Sequence, residues 1–172
     1  MKKFVVAVGA GAALAVGVLT AVPASAAPQK PTKPYPDISR YAKLDFERFQ
    51  LADKPGIWFS TPSGLNCGIW DDGSTGCTGT IPGAPGGANQ VGWFSGESDA
   101  HFDNTDQLRF VAGVPQAVLP ADNYVEYKNA RCGVTPEGAV YCTGSGNYAY
   151  SGNQFMVSTS GSWIGPQVYE KE

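Results

Sequence analysis

Two sets of residues have types and spacing suited to chemistry: four cysteines, and one histidine set among carboxylates. The cysteines fall in two copies of one pattern. Cys67-Gly68-Ile69-Trp70-Asp71-Asp72-Gly73-Ser74-Thr75-Gly76-Cys77-Thr78-Gly79 matches Cys132-Gly133-Val134-Thr135-Pro136-Glu137-Gly138-Ala139-Val140-Tyr141-Cys142-Thr143-Gly144 as C-G-[IV]-x-x-x-G-x-x-x-C-T-G. A four-thiolate zinc site wants ligand pairs about two to four residues apart. The gap within each copy is far wider, no CxxC redox motif is present, and no cysteine is left over as a nucleophile. Disulfide chemistry remains, and Cys67–Cys77 with Cys132–Cys142 is the pairing the repeat favours, among the three that four cysteines allow.

His101 lies in Asp99-Ala100-His101-Phe102-Asp103-Asn104-Thr105-Asp106. An imidazole oriented by Asp99 or Asp103 is the arrangement of a general base, and a small envelope hydrolase is the enzymatic alternative it offers. No G-x-S-x-G, S-x-x-K or H-E-x-x-H accompanies it. A single histidine also excludes sites that need two histidine ligands. Asp99, Asp103, Asn104 and Asp106 supply oxygens of the kind calcium takes, without EF-hand spacing. They read as a solvated acidic loop, and no cofactor or metal is assigned. Asp71, Asp72 and Glu137 resemble a glycosidase pair in type only, because they stand where hairpin turns need Asp and Glu. Trp58, Trp70 and Trp93, with Trp163 and eight tyrosines, are candidates for an aromatic binding face, Trp70 foremost because it flanks a turn. Such a face takes an envelope polysaccharide or another exported protein.

The elements that must position these residues are β-hairpins. Asp71-Asp72-Gly73 and Pro136-Glu137-Gly138 are turn sequences, through side-chain to backbone bonds, a preset φ and tolerance of positive φ. Turns centred on Asp72 and Glu137 put each cysteine opposite its mate, at Cβ separations of about 4.5–5.5 Å, near disulfide reach. Asp37 to Gln50 is the one helical zone, expected as one or two short turns packed on a sheet. Strands are expected at 57–60, 65–70, 75–80, 91–94, 108–111, 116–119, 124–127, 154–159 and 163–164. The run 97–107 reads as an acidic loop and 81–90 as a Gly/Pro loop. Many short strands with 22 Gly and 13 Pro predict a mainly β chain, a small antiparallel sandwich or barrel with two stapled hairpins and a short N-terminal helical segment. The repeat suggests two related halves.

The chain opens with Lys2-Lys3, an apolar run from Phe4 to Val22, and Ala24-Ser25-Ala26. That is the layout of a signal peptide over 1–26. Residues 27–36 hold four prolines and read as an extended spacer, leaving 37–172 as one secreted or envelope-located domain. No later stretch is long and apolar enough to span a membrane. Without Lys2 and Lys3 the twelve basic residues fall to ten against fifteen acidic. That balance opposes nucleic acid and anionic membranes. Paired cysteines fit an oxidising compartment, and the expected state is a monomer.

Phe59-Ser60-Thr61-Pro62-Ser63-Gly64-Leu65-Asn66-Cys67, followed by Gly73 and Cys77, resembles the F-x-[ST]-P-S-G-x-x-C…G-x-x-x-C element of small exported actinobacterial proteins of unknown function, of the mycobacterial type. The likeness is specific over about 20 residues and looser through Pro82–Gly87 and the second cysteine pair. It implies an envelope-associated or secreted protein. It lends no activity and no catalytic residues.

Overall fold

The computed structural model describes residues 35–144 and 152–165. The expected signal peptide over 1–26, most of the expected spacer over 27–36, the loop just after Cys142 and residues 166–172 lie outside them. Among the described residues twelve strands form two six-stranded sheets. The strands are β1 (Ala42–Lys43), β2 (Ile57–Ser60), β3 (Asn66–Ile69), β4 (Thr75–Thr78), β5 (Gln90–Trp93), β6 (His101–Asp103), β7 (Ala117–Val118), β8 (Asn123–Tyr127), β9 (Ala130–Val134), β10 (Val140–Thr143), β11 (Gln154–Ser158) and β12 (Gly161–Ile164). β2 to β6 are a meander of antiparallel neighbours, and so are β8 to β12. Each sheet then gains a short parallel edge strand from the other half of the chain: β7 on β2, and β1 on β8.

The cysteine elements fold as their turn chemistry requires. Gly73 N–H donates to Trp70 O at 2.9 Å, Asp72 Oδ1 accepts from Ser74 N at 2.9 Å, and Gly73 sits at φ 85°. The second turn repeats this, with Gly138 N–H on Thr135 O at 2.9 Å and Gly138 at φ 82°. Only glycine adopts that conformation without strain. Cys67 faces Cys77 and Cys132 faces Cys142 directly across the strands, and each pair is joined. With period-2 alternation, both disulfides point inward with Ile57, Phe59, Ile69, Val91, Val125, Val134, Phe155 and Val157, which fill the core between the sheets. Thr75 Oγ1 lies 3.3 Å from Cys132 Sγ, bringing the halves together at the staples. The expected mainly β, two-layer architecture is therefore what the chain builds.

Three local expectations are corrected. Residues 108–111 are not a strand: the β2 edge they would join is occupied by β7, and the segment crosses the outer face of the sheet instead. The acidic run contains a strand, β6, because His101 and Phe102 pair with Gly92 and Val91 at the β5 edge. The helical zone does hold two 3-10 turns, Ile38–Arg40 and Phe46–Phe49, but β1 lies between them.

Candidate functional site

Strand alternation puts Trp58, Gly68, Gly76, Gly92 and His101 in one row across the outer face of the β2–β6 sheet, each paired with the next. The three glycines leave a trough, and Phe110 fills it. A Cβ at Gly76 would collide with the Phe110 ring and stand 2.6 Å from Val91 O, and one at Gly92 would stand 3.3 Å from Phe110 Cε2. Phe110 is fully buried there. Gln116 fastens the far end of the same segment. Its amide donates to Phe59 O at 2.9 Å and Cys67 O at 3.1 Å, and its oxygen accepts from Ala112 N at 3.1 Å. The equivalent row on the other sheet is Tyr124, Gly133, Tyr141, Met156 and Trp163. There Ile38 sits over Gly133. The glycine after the first cysteine of each copy thus admits a covering segment.

The sequence-nominated tryptophans are divided by this packing. Trp93 is buried in the core, with Nε1 donating to Glu97 O at 2.9 Å, so burial removes it from any binding face. Trp58 is 6% exposed, donates to Pro55 O at 2.9 Å and is capped by Lys54 at 5.5 Å. Its faces are taken, so it too is no platform. Trp70 keeps partial exposure at the turn, but its ring packs against Trp58, Phe94 and Phe110. Arg109 closes the row by stacking 4.3 Å from the Phe94 centroid. The aromatic cluster is a second, outer core beneath the covering segment.

What that segment leaves outside is apolar. Leu108, Val111, Val114 and Val118 are the exposed large hydrophobics of the described residues, at 43%, 39%, 52% and 49%. All four come from one stretch that Phe110 and Gln116 pin in place. Sequence reading overlooked this strip, having placed 108–111 in a sheet. The one signal in the sequence was the pair Gly113 and Pro115, which interrupts the run of valines and a leucine.

His101 projects from the β6 edge, 38% exposed by side chain, with Nδ1 3.2 Å from Glu97 Oε2 and Nε2 3.3 Å from Asp103 Oδ2. Of the two carboxylates expected beside it, Asp103 is there and Asp99 is not, accepting instead from Ser98 Oγ at 2.8 Å; Glu97, which was not expected, takes the other side of the ring. Each ring nitrogen faces a carboxylate oxygen rather than a hydroxyl. A general base needs one of them free to face a nucleophile. Asp103 is further held by Gln90 Nε2 at 3.2 Å.

The calcium candidates scatter. Asn104 Nδ2 donates to Gly86 O at 3.0 Å, and no group of three or more metal-binding side chains gathers among the described residues. Asp72 is spent on its turn. Asp71 accepts from Tyr127 Oη at 2.7 Å, and this bond holds the phenol above its ordinary range. Glu137 sits exposed on the second hairpin turn. No described helix is long and apolar enough to cross a membrane. Compared with protein-family models, with curated proteins and with solved structures, the chain gives no match.

Proposed function

We propose that the chain is an exported, non-enzymatic binding module of the cell envelope, and that it docks another exported protein on the strip formed by Leu108, Val111, Val114 and Val118. The observation that carries this is that the large exposed apolar side chains of the described residues all come from one fixed segment, 108–118. Scattered apolar side chains are ordinary on a surface, whereas a collected patch marks an interaction site. The anchoring of Phe110 and Gln116 means little ordering is lost on docking, which favours affinity. Export is supported by the residue pattern of 1–26 and by the two disulfides, which persist in oxidising compartments. The engaged histidine weighs against the hydrolase alternative.

The test is affinity purification of the tagged protein from its exporting host, wild type against Val114→Ser/Val118→Ser. One exported protein retained by wild type and lost by the variant is the expected result. Equal retention of every co-purifying protein by both would overturn the reading.

A further inference from the structure

A second surface lies at one end of the sandwich, remote in residues from the apolar strip. Here the β3–β4 turn of one sheet, the last residue of β8 in the other, and the loop 50–56 border an open cleft of about 470 Å³. That volume falls within the range of about 300–1,000 Å³ typical of small-molecule sites. Four polar side chains line it, Gln50, Lys54, Asp71 and Tyr127, with the Lys54 ammonium at its margin, 5.5 Å from the Trp58 ring centroid. Gln50, Lys54 and Asp71 are exposed to solvent. Gln50's amide makes no side-chain hydrogen bond among the described residues.

The cleft is built before any ligand arrives. The 2.7 Å bond from Tyr127 Oη to Asp71 Oδ1 ties the two sheets across it. Phe46 backs the Tyr127 ring at 5.1 Å between centroids. Lys54 N–H donates to Leu51 O at 3.3 Å, and Trp58 Nε1 holds Pro55 O at 2.9 Å. Gly56, buried at φ 86°, lets the loop lie against β3: a Cβ there would stand 2.9 Å from the Trp70 Cα.

The chemistry of the lining selects the ligand class. One carboxylate and one ammonium nearly cancel, so the cleft does not favour a strongly charged ligand. It is open and has few apolar side chains, unlike the apolar concavities that take drug-like molecules. It offers acceptors in Asp71 and Gln50, and donors in Gln50 and Lys54. The Tyr127 hydroxyl, whose proton is given to Asp71, keeps its lone pairs for an incoming donor. Neighbouring hydroxyls on a sugar ring act as donor and acceptor at once and suit such a mixed set. We propose that this cleft binds a neutral saccharide ring, with Asp71 and Tyr127 receiving its hydroxyls and Gln50 and Lys54 donating to them. The proposal does not rest on the apolar strip, and either site can fail alone.

The experiment is a ¹⁵N NMR titration of the exported, disulfide-intact protein with the methyl glycosides of glucose, galactose, mannose and arabinose, and with glucuronate as an anionic control. The expected result is a saturable shift of the Gly56, Asp71 and Tyr127 amides with at least one neutral glycoside. Asp71→Ala and Tyr127→Phe should each weaken it about tenfold, as removal of one hydrogen-bonding group to a hydroxyl implies. Unchanged amide dispersion elsewhere would show that the variants are folded. No saturable shift with any neutral glycoside, tighter binding of glucuronate than of all of them, or undiminished affinity in both variants would overturn the proposal.

Discussion

Replacing Gly76 by alanine should do more damage than a single methyl group suggests. The new Cβ lies inside the Phe110 ring and 2.6 Å from Val91 O, so the ring must leave its trough. Phe110 is fully buried, and exposing a phenylalanine forfeits about 1.5–3 kcal/mol. The backbone contact with Val91 adds about 1 kcal/mol of overpacking, for a total near 3 kcal/mol. Phe110→Ala alone should cost about 3 kcal/mol by lost burial and cavity. Were the two independent, the double variant would lose about 6 kcal/mol. With the ring already gone, Gly76→Ala meets only Val91, so the double variant should lose about 4 kcal/mol, a coupling of about 2 kcal/mol. Urea unfolding with disulfides intact, followed by tryptophan fluorescence, measures all three at comparable m-values. Additivity within about 0.5 kcal/mol would refute the packing of Phe110 on the glycine row, and with it the positioning of the apolar strip.

Other outcomes follow from the same contacts. Cys132→Ala/Cys142→Ala should lower stability by about 2–3 kcal/mol, given the short loop closed. Because the sulfurs are buried, thiol reduction of the native protein should be slow and accelerate with added urea, as mass spectrometry of alkylated samples would record. Tyr35 is raised chiefly by burial and then by Tyr141, Tyr41 chiefly by burial, and Tyr127 chiefly by its bond to Asp71, all from 10.0. The native state therefore holds phenol protons that the unfolded chain releases, so this stability is full below about pH 10 and is lost as pH rises through the folded values. Urea midpoints should fall above about pH 10, and Tyr35→Phe should flatten the fall. His101→Ala should change stability by less than about 1 kcal/mol, since exposed ion pairs contribute little, and should leave capture of an exported partner unaltered. Loss of capture in that variant would return His101 to the functional surface.

The strands and staples were legible because turn chemistry is local. Asp72-Gly73 and Glu137-Gly138 fix where each chain reverses, and reversal there places cysteine opposite cysteine. The 57–60 and 124–127 strands were legible as strands, and the structure pairs each with the first arm of a cysteine hairpin. The parallel edges β1 and β7 were not, because two-residue pairings between distant segments leave no periodicity to read. Leu108-Arg109-Phe110-Val111 looked like a strand because a short apolar run does not declare its state; only its contact with three distant glycines decides that it lies across the sheet. The same contact explains what the repeated Cys-Gly could not reveal. Gly68 and Gly133 are required by what covers them, Phe110 and Ile38. Tryptophan content suggested a binding face, but whether Trp58 and Trp93 face a ligand or a core depends on tertiary neighbours, which bury both.

The central claim is tested most directly by photo-cross-linking in the living host. A benzoylphenylalanine is placed at Val114 or Val118 on the strip, or at Glu137 on an exposed turn as control. The account predicts one discrete adduct with a second exported protein from Val114 and Val118, and none from Glu137. The same adduct from Glu137, or none from either strip position, would contradict it.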